Sequence, residues 1–495
     1  MAVPQTEVTT VNASPYPVNG ERLWQTLHSL AQIGATAAGG VARVALTDED
    51  RAGRDQFVTW VRELGCTVHI DQMGNLFARR EGSDPGRAPV VIGSHLDSQP
   101  TGGKYDGAYG VMVGLEVLRV LHENDLITAA PVEVVSWTNE EGARFPPAMI
   151  GSGVYAGAFS LDDGLAAPGV DGTTLGGELA RIGYAGTEPC GEPCGEPSST
   201  EPCGEPASTG PCGEPDGAGR RPIGHYIEPH IEQGPILEAA GVTLGAVTGV
   251  QGIRWYDVSI EGQSAHAGST PMEHRADAMV AAARLVCEAD EIAARRAPEG
   301  RATVGTLSVG TGSRNTVAGS VSLTVDLRHP DAAELEAMHD ELLAFADGPA
   351  FGPQHSAASS GVRQHSAASS GDRQHSAASS GDRQHSAASS GDKQHSGRSL
   401  PRPQIVPIWY SPPIVFDAAV VDAVRQGAVA AGFEPVDITS GAGHDACYVS
   451  MVAPTGMLFI PCADGLSHNE AESILPSHAT AGAQATLNAV LALAR

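Results

Sequence analysis

Thirty Lys and Arg residues against 58 Asp and Glu give the 495-residue chain a net charge of −28, a balance that argues against nucleic acid and anionic membrane as partners. With 41% hydrophobic residues it can build a sizeable core, and the length suits two or three domains. The N-terminus lacks the basic start and apolar core of a signal peptide, and no later stretch is apolar for long enough to span a bilayer, so a cytoplasmic setting is expected.

In chain order, apolar periodicity predicts helices near 20–36 and 50–65, strands at 89–94 and 131–138, and a helix at 107–124, the alternation of an α/β sheet. The apolar run Pro89–Ile92 leads into GSHLDSQPTGGKYDG, which places His95, Asp97 and Asp106 in a glycine-rich loop beyond a buried strand. Such strand ends are where an open α/β sheet presents ligands from a rigid scaffold. The second strand, VEVVSWT, runs into Asn139, Glu140 and Glu141. Adjacent carboxylates point to different sides, so one can ligate a metal while the other faces a bound water. Alone, a Glu-Glu pair is more often a solvated turn.

A Cys-Gly-Glu-Pro repeat fills 187–217 and carries Cys190, Cys194, Cys203 and Cys212. Tandem repetition accounts for their spacing and no Cys-x-x-Cys pair is present. Pro and Gly at this density build no packed core, so the tract reads as a surface-loop insertion rather than a metal or redox site. Cys66, Cys287, Cys447 and Cys462 have no metal-like spacing and suit a reducing compartment. Beyond the tract, His230 stands in EPHIEQGPILE.

From about 242 to 411 the texture changes to strand (252–262), helix (273–294), strands (302–310 and 319–328), helix (331–346) and a strand near 403–409, a separate α+β domain. Its QHSAASSG repeat, 354–396, carries His355, His365, His375, His385 and His395 and reads as a flexible polar insertion rather than a metal site. A helix at 417–432, a strand at 455–461 and a helix at 476–494 resume the first texture, with His468 in DGLSHNEAE. The expected organisation is a catalytic domain formed by 1–241 and 412–495, with 242–411 inserted into it. Singly, each histidine is more often structural. Together His95, Asp106, Glu141, His230 and His468 supply three imidazoles and two carboxylates, a donor set suited to zinc and open to manganese, cobalt or nickel. Five ligands exceed one open tetrahedral site and suffice for two metals bridged by a carboxylate.

The ordered motifs GSHLDSQPTGGKYDG, TNEEGARF, HIEQGPILE, GQSAHAGSTPMEHRADA, DLRHPD, SGAGHDA and SHNEAE resemble the hydantoinase/carbamoylase family of dinuclear metal amidohydrolases. The resemblance runs from about residue 20 to the end, apart from the two repeats. It implies a zinc-exopeptidase-like α/β catalytic domain, a mixed sheet flanked by helices, with an inserted α+β ferredoxin-like domain serving as lid and dimerisation surface. It further implies two divalent metals, zinc or manganese, with His95, Glu141, His230 and His468 as terminal ligands, Asp106 as the bridge, Glu140 as general base and Asp97 as the acid that orients the His95 imidazole. From the small domain it implies His266 as oxyanion stabiliser across a domain or subunit boundary. Asn315 and Arg328 would hold the substrate carboxylate, and Gln233 would contact the ureido group. His444 matches a motif histidine with no implied role.

Taken alone, Asp97 also reads as a turn cap, Asn315 as a turn residue and Arg328 as a surface charge. The implied reaction is hydrolysis of an N-carbamoyl-L-amino acid or N-carbamoyl-β-alanine to amino acid, ammonia and carbon dioxide. Hydrolysis of allantoate is the alternative, and a metal-binding homologue without catalysis is a third reading. The chain departs from the family pattern at Pro229, before His230, and at Ala318 and Glu470.

Overall fold

Val90, Val91 and Ile92 are fully buried, as are Val132, Val134 and Val135, so these two strands are covered on both faces, as parallel strands between helical layers must be. This computed structural model describes residues 15–191, 219–310, 312–352 and 400–495. The QHSAASSG histidines and Cys194, Cys203 and Cys212 lie outside them. Two units separate by chain packing, Met1–Gly252 with Pro412–Arg495, and Ile253–Ser411.

The first unit holds a mixed nine-stranded sheet. Its centre runs Leu76–Arg80, Val132–Trp137, Val90–His95, His225–Ile231 and Thr455–Ile460. Leu76–Arg80 is antiparallel to its neighbour and the next three pairings are parallel. Helix Ala108–Glu123, buried along most of its length, and helix Pro476–Leu493 pack against the sheet with Leu115, Leu118, Leu487 and Val490 in the core. Pro229 sits in a central strand, where a missing N–H would ordinarily break a ladder. The ladder to Val90–His95 ends at Ile92↔Ile227, before Pro229, while the pairing with Thr455–Ile460 continues to Ile231. The proline is thereby accommodated and His230 keeps its place near the strand's carboxyl end.

The predicted helix at 20–36 ends at Leu30, because turns around Gly34, in the left-handed region at φ 83°, redirect the chain. The Cys-Gly-Glu-Pro tract begins inside the fold: Gln72 N–H donates to Glu188 O (2.9 Å) and Cys190 is buried.

In the second unit, strands Leu307–Val309, Ser320–His329, Gly252–Glu261 and Pro403–Ser411 lie side by side. Helices Ala278–Ala294 and Ala332–Asp347 bury Leu285, Ile292, Leu335 and Leu342 against one face. The expected single strand at 302–310 is two, Arg301–Thr303 and Leu307–Val309. Between them Thr306 N–H donates to the Thr324 hydroxyl (3.2 Å) instead of continuing the ladder.

Candidate metal centre

The sequence-predicted ligands of the first unit converge at the carboxyl ends of its central strands. His95 ends Val90–His95 and His230 lies at the end of His225–Ile231. Asp106 precedes Gly107, which caps helix Ala108–Glu123 at φ 62°, a conformation that favours glycine. A Cβ at Gly107 would also overlap the His95 imidazole. Just past Val132–Trp137, Asn139 adopts φ 56° and its Nδ2 donates to Phe145 O (2.8 Å). This left-handed turn sends Glu140 and Glu141 in different directions.

Asp106 is the common point. The donor atoms of His95, Asp106 and His230 lie within 4.8 Å of one another, as do those of Asp106, Glu141 and His468. Asp106 Oδ1 faces His230 Nε2 at 3.3 Å and His95 Nε2 at 3.9 Å, and Oδ2 faces His468 Nε2 at 3.4 Å. His468 Nε2 is also 3.2 Å from Glu141 Oε2, and Glu140 Oε2 is 3.5 Å from His95 Nε2. His468, at φ 53°, is the exposed member of the set.

Hydrogen bonds set the tautomers. A carbonyl oxygen only accepts, so His95 Nδ1 donates to Asp97 O (2.9 Å) and His230 Nδ1 donates to Ile231 O (2.9 Å). Each Nε2 is left with a lone pair facing a carboxylate oxygen, and Gly107 N–H reaches that of His230 at 3.2 Å. Lone pairs aimed at carboxylate oxygens fit together when a cation lies between them.

The electrostatics agree with this donor set. Burial holds His95 and His230 below the ordinary imidazole value. Burial, then Asp445 and Glu141, pushes Glu140 well above the ordinary carboxylate range. Burial, then Asp106, does the same for Glu141. Among the described residues neither these glutamates nor Asp106 pairs with Lys or Arg. Crowded carboxylates and buried neutral imidazoles are both favoured in their ligating forms by divalent cations.

Asp97 meets His95 through its main chain rather than its side chain. Its backbone carbonyl accepts the hydrogen bond from His95 Nδ1–H, while its carboxylate stands 4.0 Å from that nitrogen. The carboxylate instead accepts the backbone N–H groups of Glu140 (3.3 Å) and Glu141 (3.2 Å). Gln233, expected at the substrate, donates from Nε2 to Asp106 Oδ2 (2.9 Å), and its Oε1 is buried without a partner. Gln99 was not anticipated: its N–H and Nε2 donate to the two oxygens of Glu141 at 3.1 and 2.7 Å. It lies inside the His95–Asp106 motif, and that position was the available signal.

His444 packs edge-on against His230 at 4.6 Å and pairs through Nε2 with the Ser440 hydroxyl (2.9 Å). Its neighbour Glu228 accepts from Ser94, Ala446 N–H and Tyr226 (2.8, 2.8 and 3.2 Å). Glu228, His230 and His444 could group around an ion, but these hydrogen bonds already engage both oxygens of Glu228 and Nε2 of His444. Glu336, His339 and Asp340 also cluster, as successive turns of one helix do, and His339 Nδ1 is engaged by the Tyr256 hydroxyl (2.8 Å).

In the second unit, His266 and Asn315 come together. His266 pairs with Thr316 across two short strands, and Ala267 N–H donates to Asn315 O (2.8 Å). His266 is exposed, and its Nδ1 accepts the N–H groups of Gly268 and Ser269 (3.1 Å each), so the ring proton sits on Nε2. Arg328 lies near the other end of strand Ser320–His329, about 26 Å from Ser320 at about 3.3 Å per residue, with Nη2 on Asp326 Oδ2 at 2.7 Å.

Comparison with known proteins finds relatives of the chain. A model of peptidase family M20/M25/M40 matches residues 91–492. The chain is similar to an N-carbamoyl-L-amino-acid amidohydrolase of Rhizobium meliloti, 38% identical over 96% of each chain. It is also similar to an allantoate amidohydrolase of Bacillus subtilis, 29% identical over 90% of each. Among solved structures it resembles a hydantoinase/carbamoylase family amidase from Burkholderia multivorans, with a TM-score of 0.79 and 44% identity over 97% of this chain and 99% of that one.

Proposed function

The chain belongs to peptidase family M20/M25/M40, and from that membership and the cluster around Asp106 we propose a metal-dependent amidohydrolase of N-carbamoyl-L-amino acids or N-carbamoyl-β-alanine. It releases the amino acid, ammonia and carbon dioxide. The observation that carries the reading is Asp106, whose two oxygens face His95 and His230 on one side and His468 on the other, as a bridge between two cations requires. His95 and His230 would hold one ion, and Glu141 and His468 the other. The donor set suits zinc or manganese and admits cobalt or nickel. Bound there, the ions would supply Lewis-acid activation of the attacking water.

Glu140 takes the proton from that water and returns it to the leaving nitrogen, a role suited to a carboxyl that burial holds well above the ordinary carboxylate range. His266 donates from Nε2–H to the developing oxyanion. Asn315 and Arg328 hold the substrate carboxylate, Arg328 through its planar fork, and the unpartnered Oε1 of Gln233 accepts a ureido N–H. The reading includes a homodimer, with His266 reaching the substrate across a domain or subunit boundary as the family resemblance implies. The free thiols Cys66, Cys190, Cys287, Cys447 and Cys462 favour a cytoplasmic setting, and among the described residues no helix is long and apolar enough to cross a membrane.

The second reading, allantoate hydrolysis, rests on the similarity to the Bacillus subtilis protein. Ammonia release from N-carbamoyl-L-amino acids, N-carbamoyl-β-alanine and allantoate, with protein reconstituted in zinc, manganese or cobalt, tests both. Turnover of a carbamoyl compound supports the first. Turnover of allantoate alone replaces it with the second, and silence with metal bound refutes both.

A further inference from the structure

Glu472 follows His468 by one helical turn's length of sequence and takes no part in the chemistry above. It is 2% exposed and among the described residues forms no ion pair. Its Oε1 accepts the backbone N–H groups of Tyr105 (2.8 Å) and Asp106 (3.1 Å). Its Oε2 lies 3.3 Å from the Ser467 hydroxyl, whose single proton is shared with Asp106 Oδ2 at 2.9 Å. Gln233 Nε2 donates to that same hydroxyl oxygen (3.1 Å) and to Asp106 Oδ2 (2.9 Å). The carboxylate also lies against Gly103, where a Cβ would overlap it. A carboxylate without a cation is expensive to bury, yet this one grips Asp106 from two directions, by its main chain and by its side chain.

We propose that Glu472 is a positioning residue for Asp106. It fixes the main chain at Tyr105 and Asp106 and, through Ser467, the oxygen of Asp106 that faces His468, and so sets the metal affinity of the cluster. The proposal rests on the reading of Asp106 as a bridging ligand. A residue that only capped the loop would change the melting temperature and leave metal affinity alone. One that positions a ligand changes metal affinity by about 10–100-fold.

The test uses the full chain, stripped with chelator and titrated with Zn²⁺ against a competing chromophoric chelator, with melting curves alongside. Asp106→Ala reports on the underlying reading and should abolish tight binding. Glu472→Ala should bind zinc about 10–100-fold more weakly. Glu472→Gln keeps a carbonyl oxygen for both backbone N–H groups and should stay near wild type. Gly103→Ala displaces the Glu472 side chain without changing any acid, so it should also weaken zinc binding and have no further effect when added to Glu472→Ala. Wild-type affinity in folded Glu472→Ala, or Glu472→Gln falling as far as Glu472→Ala, overturns the positioning role. Wild-type affinity in Asp106→Ala overturns the reading beneath it. If Glu472→Ala does not fold, Gly103→Ala decides: weakened binding upholds the role and unchanged binding refutes it.

Discussion

Replacing Asp97 with Ala separates two ways in which this residue could serve the cluster. Its carboxylate accepts the N–H groups of Glu140 and Glu141 at 3.3 and 3.2 Å, while its backbone carbonyl accepts from His95 Nδ1–H at 2.9 Å. The substitution removes the first pair of bonds and keeps the last. Two buried N–H groups left unpaired cost about 1–3 kcal/mol each. Part of this is offset because burial, with Asp50 next in weight, pushes the Asp97 carboxyl itself up to about 7, so removing it relieves a penalty. The net loss in metal-free protein should then be about 2 kcal/mol, read from urea unfolding. The larger effect should fall on metal. Glu141 loses its main-chain anchor, keeping only the Gln99 bonds to its carboxylate, and His95 keeps its own, so the ion held by Glu141 and His468 should be lost first, taking metal content from two per chain toward one, with kcat/KM down about 10–100-fold. Two metals retained at wild-type activity would refute the argument that this carboxylate holds the glutamate pair. Loss of both ions together would restore the expectation that it orients His95.

Three further outcomes follow from the same geometry. Gly107→Ala places a methyl group against the His95 imidazole at a backbone φ of 62°; zinc titration should show more than about tenfold weaker binding, and an unchanged affinity would mean that the loop relaxes freely. His266→Ala, at an exposed position, should lower kcat about 10²–10³-fold with metal content and melting temperature unchanged, and a wild-type kcat would remove it from the reaction. Asp71 is fully buried away from the cluster, and burial holds its folded pKa at about 7 against an ordinary 3.8. The folded form thus keeps a proton that the unfolded chain has already lost, and stability falls as pH rises from about 4 to 7. Asp71→Asn lacks that slope, so it should gain on wild type by up to about 4 kcal/mol across the window; parallel stability curves would refute the shift.

What was legible in the sequence was what local pattern encodes. The apolar runs at Val90–Ile92 and Val132–Val135 and the long helices Ala108–Glu123 and Pro476–Leu493 followed from periodicity to within a residue or two. The acids and histidines just past those strands marked where the cluster lies. The short helices Ile150–Ala156 and Leu161–Ala166 were illegible, because a turn or two of helix carries too little periodicity. Which atom of Asp97 meets His95 was also hidden, since a motif names residues and the choice between carbonyl and carboxylate depends on the loop's path. Gln99 on Glu141, and Glu472 with Ser467 on Asp106, join segments far apart in the chain. Only the closing of the sheet brings those segments together.

The most direct measurement is ammonia release by metal-reconstituted wild type and Glu140→Gln on the ureido substrate that wild type prefers, with metal content determined on the same samples. Gln is nearly isosteric and cannot accept the proton of the attacking water, so the account predicts two metals in both proteins and a kcat lower by about 10²–10⁴-fold in the variant. A Glu140→Gln protein that keeps wild-type kcat would contradict it.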